Sequence, residues 1–436
     1  MKYYVGDIFT PTSSADINYI ERESLDSRIY SALRTKGKQI VIFGHSGVGK
    51  TTLLRKSLQK IYENEIISHC MKGITFESLV YDAFDKLNDY YLESKSSITK
   101  TSVKASISSN YFSIKNTIVA SKESGDSENF RRMVNTQITP QRLADFLGEA
   151  NCCWILEDFH KMDIPEKNKL SQIMKVFMDK SADYPALKII ALGAVNTGRE
   201  VVEYDIEMRN RVSEIEVSLM KKKELKEIID NGEKFLNIKF PNEIKDEIVD
   251  FSNGLASICH SICSYICEEA GIIMTLDGNF IQLTEENFNA GIKRYMEEET
   301  DTLKYKFEMA FNRMPSQKKN TELIFRALSV YDYSEGATEN ELFREILEES
   351  SRFNKKTLSA QLDRLTKDIN GGVIIYNTSS RKYSFTIPLY KTYVDAYFTS
   401  NKNAYQISSN SLKNKISKIA YEAIVKEQME KYVKNN

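Results

Sequence analysis

An α/β fold is expected for this chain: a parallel sheet with crossover helices, then a helical segment, then a small C-terminal unit of three helices and a hairpin. Three observations carry this reading. Short apolar runs of strand type alternate with helix-period segments through the first half of the chain, the order that builds βαβ units. Residues 221–273 and 285–311 then keep helical spacing. Residues 316–398 place three helix patterns before two strand-like stretches that flank a turn.

Taken in order, residues 1–35 form a lead-in. Phe9, Thr10, Pro11 and Thr12 make a turn, and Ile17, Ile20, Leu25, Ile29 and Leu33 recur at helical intervals over residues 17–33 until Lys36-Gly37-Lys38 closes the helix. Residues 36–218 hold the sheet. Its expected strands are 40–43, 65–70, 152–156, 187–195 and 212–217, with helices at 75–91, 141–147 and 167–178 between them. Residues 94–137 interrupt this pattern with a composition rich in Ser, Thr, Lys and Asn. Alternation at Val103, Ala105 and Ile107, and again at Phe112 and Ile114, reads as an inserted hairpin around Ser108-Ser109-Asn110, with a flexible segment as the alternative.

Residues 219–312 are expected to be a helical lid and linker, with helices at 225–236, 241–251, 257–270 and 285–311 and a break at Asn253-Gly254. The acidic run Glu297-Glu298-Glu299 reads as a solvated face. Residues 313–400 carry helices at 318–330, 338–349 and 355–367, then Gly371-Gly372 and strands at 373–377 and 382–387, which is the order of a winged helix. Residues 401–436 end the chain as a Lys-rich amphipathic helix.

The chemistry begins after the first strand, where Gly44-His45-Ser46-Gly47-Val48-Gly49-Lys50-Thr51 and then Thr52 follow an apolar run and open a helix. Glycines allow a loop tight enough for successive backbone N–H groups to face phosphate oxygens, and the helix adds its positive end. Lys50 is placed to reach the β- and γ-phosphates and Thr51 to hold Mg²⁺. The expected ligand is a nucleoside triphosphate.

A second acidic motif follows the third strand, where Trp154-Ile155-Leu156 ends in Glu157-Asp158. Such a site needs one acid for the metal shell and a second polar group for the attacking water. By position Glu157 takes the metal and Asp158 the water, although the reverse order is the commoner one, and the assignment stays open here. Asn196, at the tip of the fourth strand, is a candidate sensor of the γ-phosphate or a simple cap. Arg209 and Arg211, ahead of the last strand, are either solvated charges or a source of a finger for a neighbouring subunit.

Composition sets limits on the partners. With 436 residues and a net charge of −1, the chain as a whole is no polyanion binder, yet residues 352–436 hold 15 Lys and Arg against 6 Asp and Glu. Lys355, Lys356, Arg364, Arg381 and Lys382 form the basic set of the expected winged helix, so contact with duplex DNA and docking to protein both stay open. The first residues lack the apolar core of a signal peptide and no run is long enough for a membrane span, so a cytoplasmic protein is expected. Cys259, Cys263 and Cys267 recur every four residues, which lines thiols in a row on one helix face. A tetrahedral metal site needs convergence instead, so the expected role is core packing.

Over residues 5–400 the chain resembles the AAA+/STAND class of P-loop ATPases, the branch that holds prokaryotic signalling ATPases and origin-recognition ATPases. The residues that carry the resemblance are Gly44 to Thr51, the run from Trp154 to His160, Asn196, the pair Arg209 and Arg211, and the closing Phe385-Thr386-Ile387-Pro388-Leu389. It implies an ATP-binding and ATP-hydrolysing switch with Mg²⁺, assembled as a homo-oligomer and acting on a separate effector protein, in a bacterial antiphage defence or related conflict system. The alternative it implies is a DNA-binding ATPase of loader or initiator type. A nucleotide-binding scaffold without turnover is a third. One departure stands out: the Gly-x-Pro turn usual in the lid of this class is replaced by Gly254-Leu255-Ala256.

Overall fold

The computed structural model describes residues 2–62, 64–97, 139–194, 211–278, 280–312, 315–333, 335–378 and 380–400. Of the insertion expected at 94–137, residues 94–97 are helical and belong to the helix Phe76–Ser97, while residues 98–137, the candidates Asn196 and Arg209 and the expected C-terminal helix lie outside the described residues. The chain groups into two compact units, one up to Thr284 and one from Glu285 onward.

The first unit opens with α1 (Val5–Ile8) and α2 (Glu23–Arg34), then β1 (Gln39–Phe43) and α3 (Lys50–Leu58). The helix expected from residue 17 starts only at Glu23. The reason is local competition for hydrogen bonds: the Asp26 carboxylate accepts the Arg22 N–H at 2.7 Å and the Tyr19 hydroxyl at 2.7 Å, and buried Asn18 donates to the Ile228 carbonyl at 3.0 Å. Apolar periodicity alone does not register such a cap.

Next come β2 (Asn64–His69), α4 (Phe76–Ser97), α5 (Pro140–Glu149), β3 (Cys152–Glu157), α6 (Ile164–Lys180), β4 (Ile189–Gly193) and β5 (Val212–Glu216). All five strands are parallel, in the order β2-β3-β4-β1-β5. Their near-continuous apolar runs (Ile40 to Ile42, Cys152 to Leu156, Ile189 to Leu192) are buried, as strands covered on both faces must be. Trp154 fills the core beside Phe76, ring centroids 5.7 Å apart, and its indole N–H finds the Ser68 hydroxyl at 3.0 Å.

The amino-terminal edge of this sheet buries Lys188, whose amine caps the Thr35 carbonyl at the end of α2. Burial pulls its pKa down from 10.5 to about 8. The unfolded chain therefore binds more protons than the folded one between pH 8 and 10.5. Stability due to this residue rises with pH across that window and falls away as the pH drops from 10.5 to 8. Subtracting the denaturation stability of Lys188→Met from that of the wild type at each pH should leave a rise on the order of 2 kcal/mol from pH 8 to 10.5. A flat difference would place the lysine in contact with water.

The unit continues with α7 (Lys222–Leu236), β6 (Ile238–Lys239), α8 (Asn242–Ser252), α9 (Ala256–Glu269) and β7 (Ile281–Gln282). The short parallel pair β6-β7 has no signature in the sequence. Cys259, Cys263 and Cys267 are all buried in this helical core, and the Cys259 thiol faces the Leu225 carbonyl at 3.8 Å.

The second unit holds α10 (Glu285–Glu298), α11 (Asp301–Asn312), α12 (Lys318–Ser329), α13 (Glu339–Glu349), α14 (Lys355–Leu365), β8 (Ile374–Asn377), β9 (Lys382–Phe385) and α15 (Pro388–Ser400). Apolar spacing predicts one helix over 285–311. Two form, because buried Thr300 turns its hydroxyl onto the Met296 carbonyl at 2.5 Å while its own carbonyl accepts the Lys304 N–H at 2.7 Å. β8 and β9 pair antiparallel, with Ile374 opposite Phe385. An aromatic core holds the unit, led by Phe307 stacked on Tyr393 at 4.5 Å. Arg364, expected on an outer basic face, is instead spent inside: it donates to the Ala310 carbonyl, the Thr321 hydroxyl and Gln361 at 2.8 to 3.0 Å.

Candidate nucleotide site

Register brings the Gly44–Thr51 loop and the Glu157-Asp158 pair together at one end of the sheet. Phe43, the last residue of β1, lies opposite Gly193 of β4 and Glu216 of β5, while Glu157 at the end of β3 lies opposite His69 at the end of β2. In a parallel sheet the carboxyl ends of all strands share one edge, where loops are free to form a site. Because β4 separates β1 from β3, its tip opens between the Gly44 loop and the acidic pair.

The loop from Gly44 to Lys50 leaves β1 and enters α3, with Gly49 in the left-handed region at φ 88° just before the first helical residue. Two glycines are required by close approach. A Cβ on Gly44 would stand 2.4 Å from the Val217 carbonyl, and one on Gly47, at φ 80°, would stand 2.1 Å from the Ser257 hydroxyl. The Lys50 amine crosses the loop to the carbonyls of Gly44 and His45 at 3.0 and 2.8 Å. Burial holds the Lys50 pKa below the usual lysine value, and Asp158 pulls it back up. Burial, together with the neighbouring Lys50 charge, also lowers the His45 pKa. Ser46 is exposed, Val48 is buried, and Thr51 and Thr52, which follow Lys50 in the first turn of α3, are half-buried.

The Thr51 hydroxyl lies 3.4 Å from one Glu157 oxygen, across from the loop strand to β3. The other Glu157 oxygen lies 3.2 Å from Nδ1 of His69, and the Glu157 carbonyl accepts the Cys70 N–H at 2.8 Å. A hydroxyl and a carboxylate at this spacing are hard oxygen donors of the kind Mg²⁺ takes, so the residues present fit that ion. Asp158 follows in a left-handed conformation at φ 57°, one of the few non-glycine residues to adopt it among those described. Its carboxylate meets the Lys161 amine at 2.6 Å.

Arg211 does not join this edge. Its carbonyl accepts the Gln39 N–H at 3.0 Å at the start of β1, so it stands four strand residues, about 13 Å, from the end of that strand. His69, Lys161 and Ser257 join the site from outside the two sequence motifs. The signal for His69 is a polar residue ending a strand next to the acidic one, whereas nothing in the sequence marks Ser257.

No family model matches the chain, and no curated protein matches it. Solved structures with a similar course of chain include a Walker-type ATPase of Pyrococcus abyssi, at 16% identity and a TM-score of 0.48 over 86% of this chain and 96% of that one. Cdc6p from Pyrobaculum aerophilum is similar at 14% identity and a TM-score of 0.43, over 91% and 98%. The RuvB Holliday junction branch migration motor of Thermotoga maritima is similar at 13% identity and a TM-score of 0.42, over 88% and 97%.

Proposed function

We propose that the chain is an ATPase of the AAA+/STAND type, a switch that binds ATP with Mg²⁺, hydrolyses it and acts through self-assembly and a separate effector protein. The observation that carries this is the convergence of Lys50, Thr51 and Glu157 on one loop edge, with Thr51 and Glu157 3.4 Å apart. In this reading Lys50 neutralises the β- and γ-phosphates, Thr51 and Glu157 hold the metal, and Asp158 orients the attacking water. Bound Mg²⁺ offsets the charge that develops on the phosphate oxygens. Asp158 pairs with Lys161 at 2.6 Å while Glu157 faces Thr51 and His69, so the two acids have different partners. Asn196 as sensor and Arg209 or Arg211 as a finger reaching a neighbouring subunit complete the proposal, and the position of Arg211 away from its own loop suits a role in trans. The setting in an antiphage defence or conflict system follows from the resemblance alone.

A DNA-binding ATPase of loader or initiator type is the second reading, favoured by exposed Lys356 and Arg381 on the three-helix and hairpin unit, which we take as a winged helix. Three observations weaken it. Arg364 is committed to internal bonds, Lys355 donates to Asn340 at 2.7 Å, and residues 315–400 balance 12 Lys and Arg with 11 Asp and Glu. Affinity for duplex DNA grows with the number of phosphates neutralised, and a near-neutral unit offers few. Exposed Ile375 and Tyr376 on β8 suit a protein partner better.

The test is ATP hydrolysis as a function of protein concentration, with and without duplex DNA. Turnover per chain that rises with concentration and ignores DNA supports the switch. Stimulation by DNA that vanishes at high salt supports the loader reading, and absence of turnover at every concentration with ATP still bound leaves a scaffold.

A further inference from the structure

The phosphate loop is held from outside by the lid. Ser257, the second residue of α9, donates its backbone N–H to the Gly47 carbonyl at 3.1 Å, and its side chain fills the space a Cβ on Gly47 would need. This N–H belongs to the first turn of the helix, where no intrahelical acceptor exists, so the loop carbonyl satisfies an otherwise orphaned donor.

The other end of the loop is held as well. Gly44 packs on Val217, whose N–H donates to the Phe43 carbonyl at 2.7 Å. Next along the linker, the Ser218 hydroxyl accepts from the Arg22 guanidinium at 3.2 Å, and the Met220 N–H donates to the Gly254 carbonyl at 2.8 Å, just ahead of α9. α9 carries no Lys or Arg, so what it brings to the loop is a backbone bond and not a cation.

A peptide unit is planar and trans, so its carbonyl and its N–H point in opposite directions. Holding the Gly47 carbonyl on α9 therefore turns the N–H of Val48, in the same peptide, to the side away from the lid. We infer that Ser257 is a positioning residue of the nucleotide site, acting through its backbone N–H on the Gly47–Val48 peptide so that the loop donors are set before phosphate arrives. The inference rests on the nucleotide-binding reading of the loop.

The test compares Ser257→Pro, which deletes the N–H at a first-turn position where proline's φ is accepted, with Ser257→Ala, which keeps it. Binding and release of a fluorescent ATP analogue are measured on the full chain, beside Lys50→Ala. Ser257→Pro is expected to bind about five- to tenfold more weakly, the net worth of one hydrogen bond, with a thermal melt as cooperative as that of the wild type, while Ser257→Ala recovers wild-type affinity to within about twofold. Equal losses in both variants, or no loss in either, overturn the inference. Where the proline variant does not fold, amide exchange on the wild type decides: protection of the Ser257 N–H that deepens as the analogue binds supports the role, and exchange at the rate of a free amide in the bound protein overturns it. Wild-type protein that binds no analogue overturns the nucleotide reading itself, whereas binding that Lys50→Ala abolishes and Ser257→Pro leaves intact overturns only the part given to Ser257.

Discussion

Lys50→Ala is expected to weaken ATP binding by about a hundredfold or more while leaving the fold intact. The amine rests on the Gly44 and His45 carbonyls, at 3.0 and 2.8 Å, so it already stands at the mouth of the loop. Hydrogen bonds to a charged group contribute roughly 1.5 to 3 kcal/mol each, and this amine would make more than one to the phosphates. Truncation removes them all and leaves the loop N–H groups in place. The cost to stability should be small, because carbonyls freed at a loop mouth can turn to water. Titration calorimetry with ATP, beside a thermal melt, checks both halves. Unchanged affinity would remove Gly44 to Thr51 from the nucleotide site.

Asp158→Asn and Glu157→Gln should separate binding from turnover. Asp158→Asn keeps the shape of the side chain but not its capacity to take a proton from water, a contribution of the order of 10² to 10⁴ in rate. ATP affinity should hold and hydrolysis should fall by about that factor. Glu157→Gln acts on the other side, beside Thr51, so it should raise the Mg²⁺ concentration needed for half-maximal turnover. The measurement is steady-state hydrolysis across a Mg²⁺ titration for both variants. Exchanged phenotypes would give the metal to Asp158 and the water to Glu157.

Much of the fold is legible in the sequence because its signals are local. A loop with glycines at fixed offsets, a lysine and a threonine carries its expected chemistry within eight residues, and apolar runs declare buried strands without reference to partners. The five strands, the helical segment after them and the order of three helices and a hairpin are all readable in that way. Boundaries shift where a side chain competes with the backbone: Asp26 delays α2 to Glu23, and Thr300 divides one expected helix into two.

The chemical inventory is written in the chain order: a phosphate-type loop with Lys50 and Thr51, and an acidic pair at the end of a buried strand. How that inventory is spent depends on packing. Strand register sets His69 opposite Glu157, the first turn of α3 brings Thr51 beside Glu157, the aromatic core draws Arg364 inward, and the docking of α9 places the Ser257 N–H on Gly47. Range is what divides the two kinds of information. These contacts join residues from 43 to 210 positions apart, and a hydrogen bond between two such residues depends on how whole helices and strands pack, which no local pattern of side chains records.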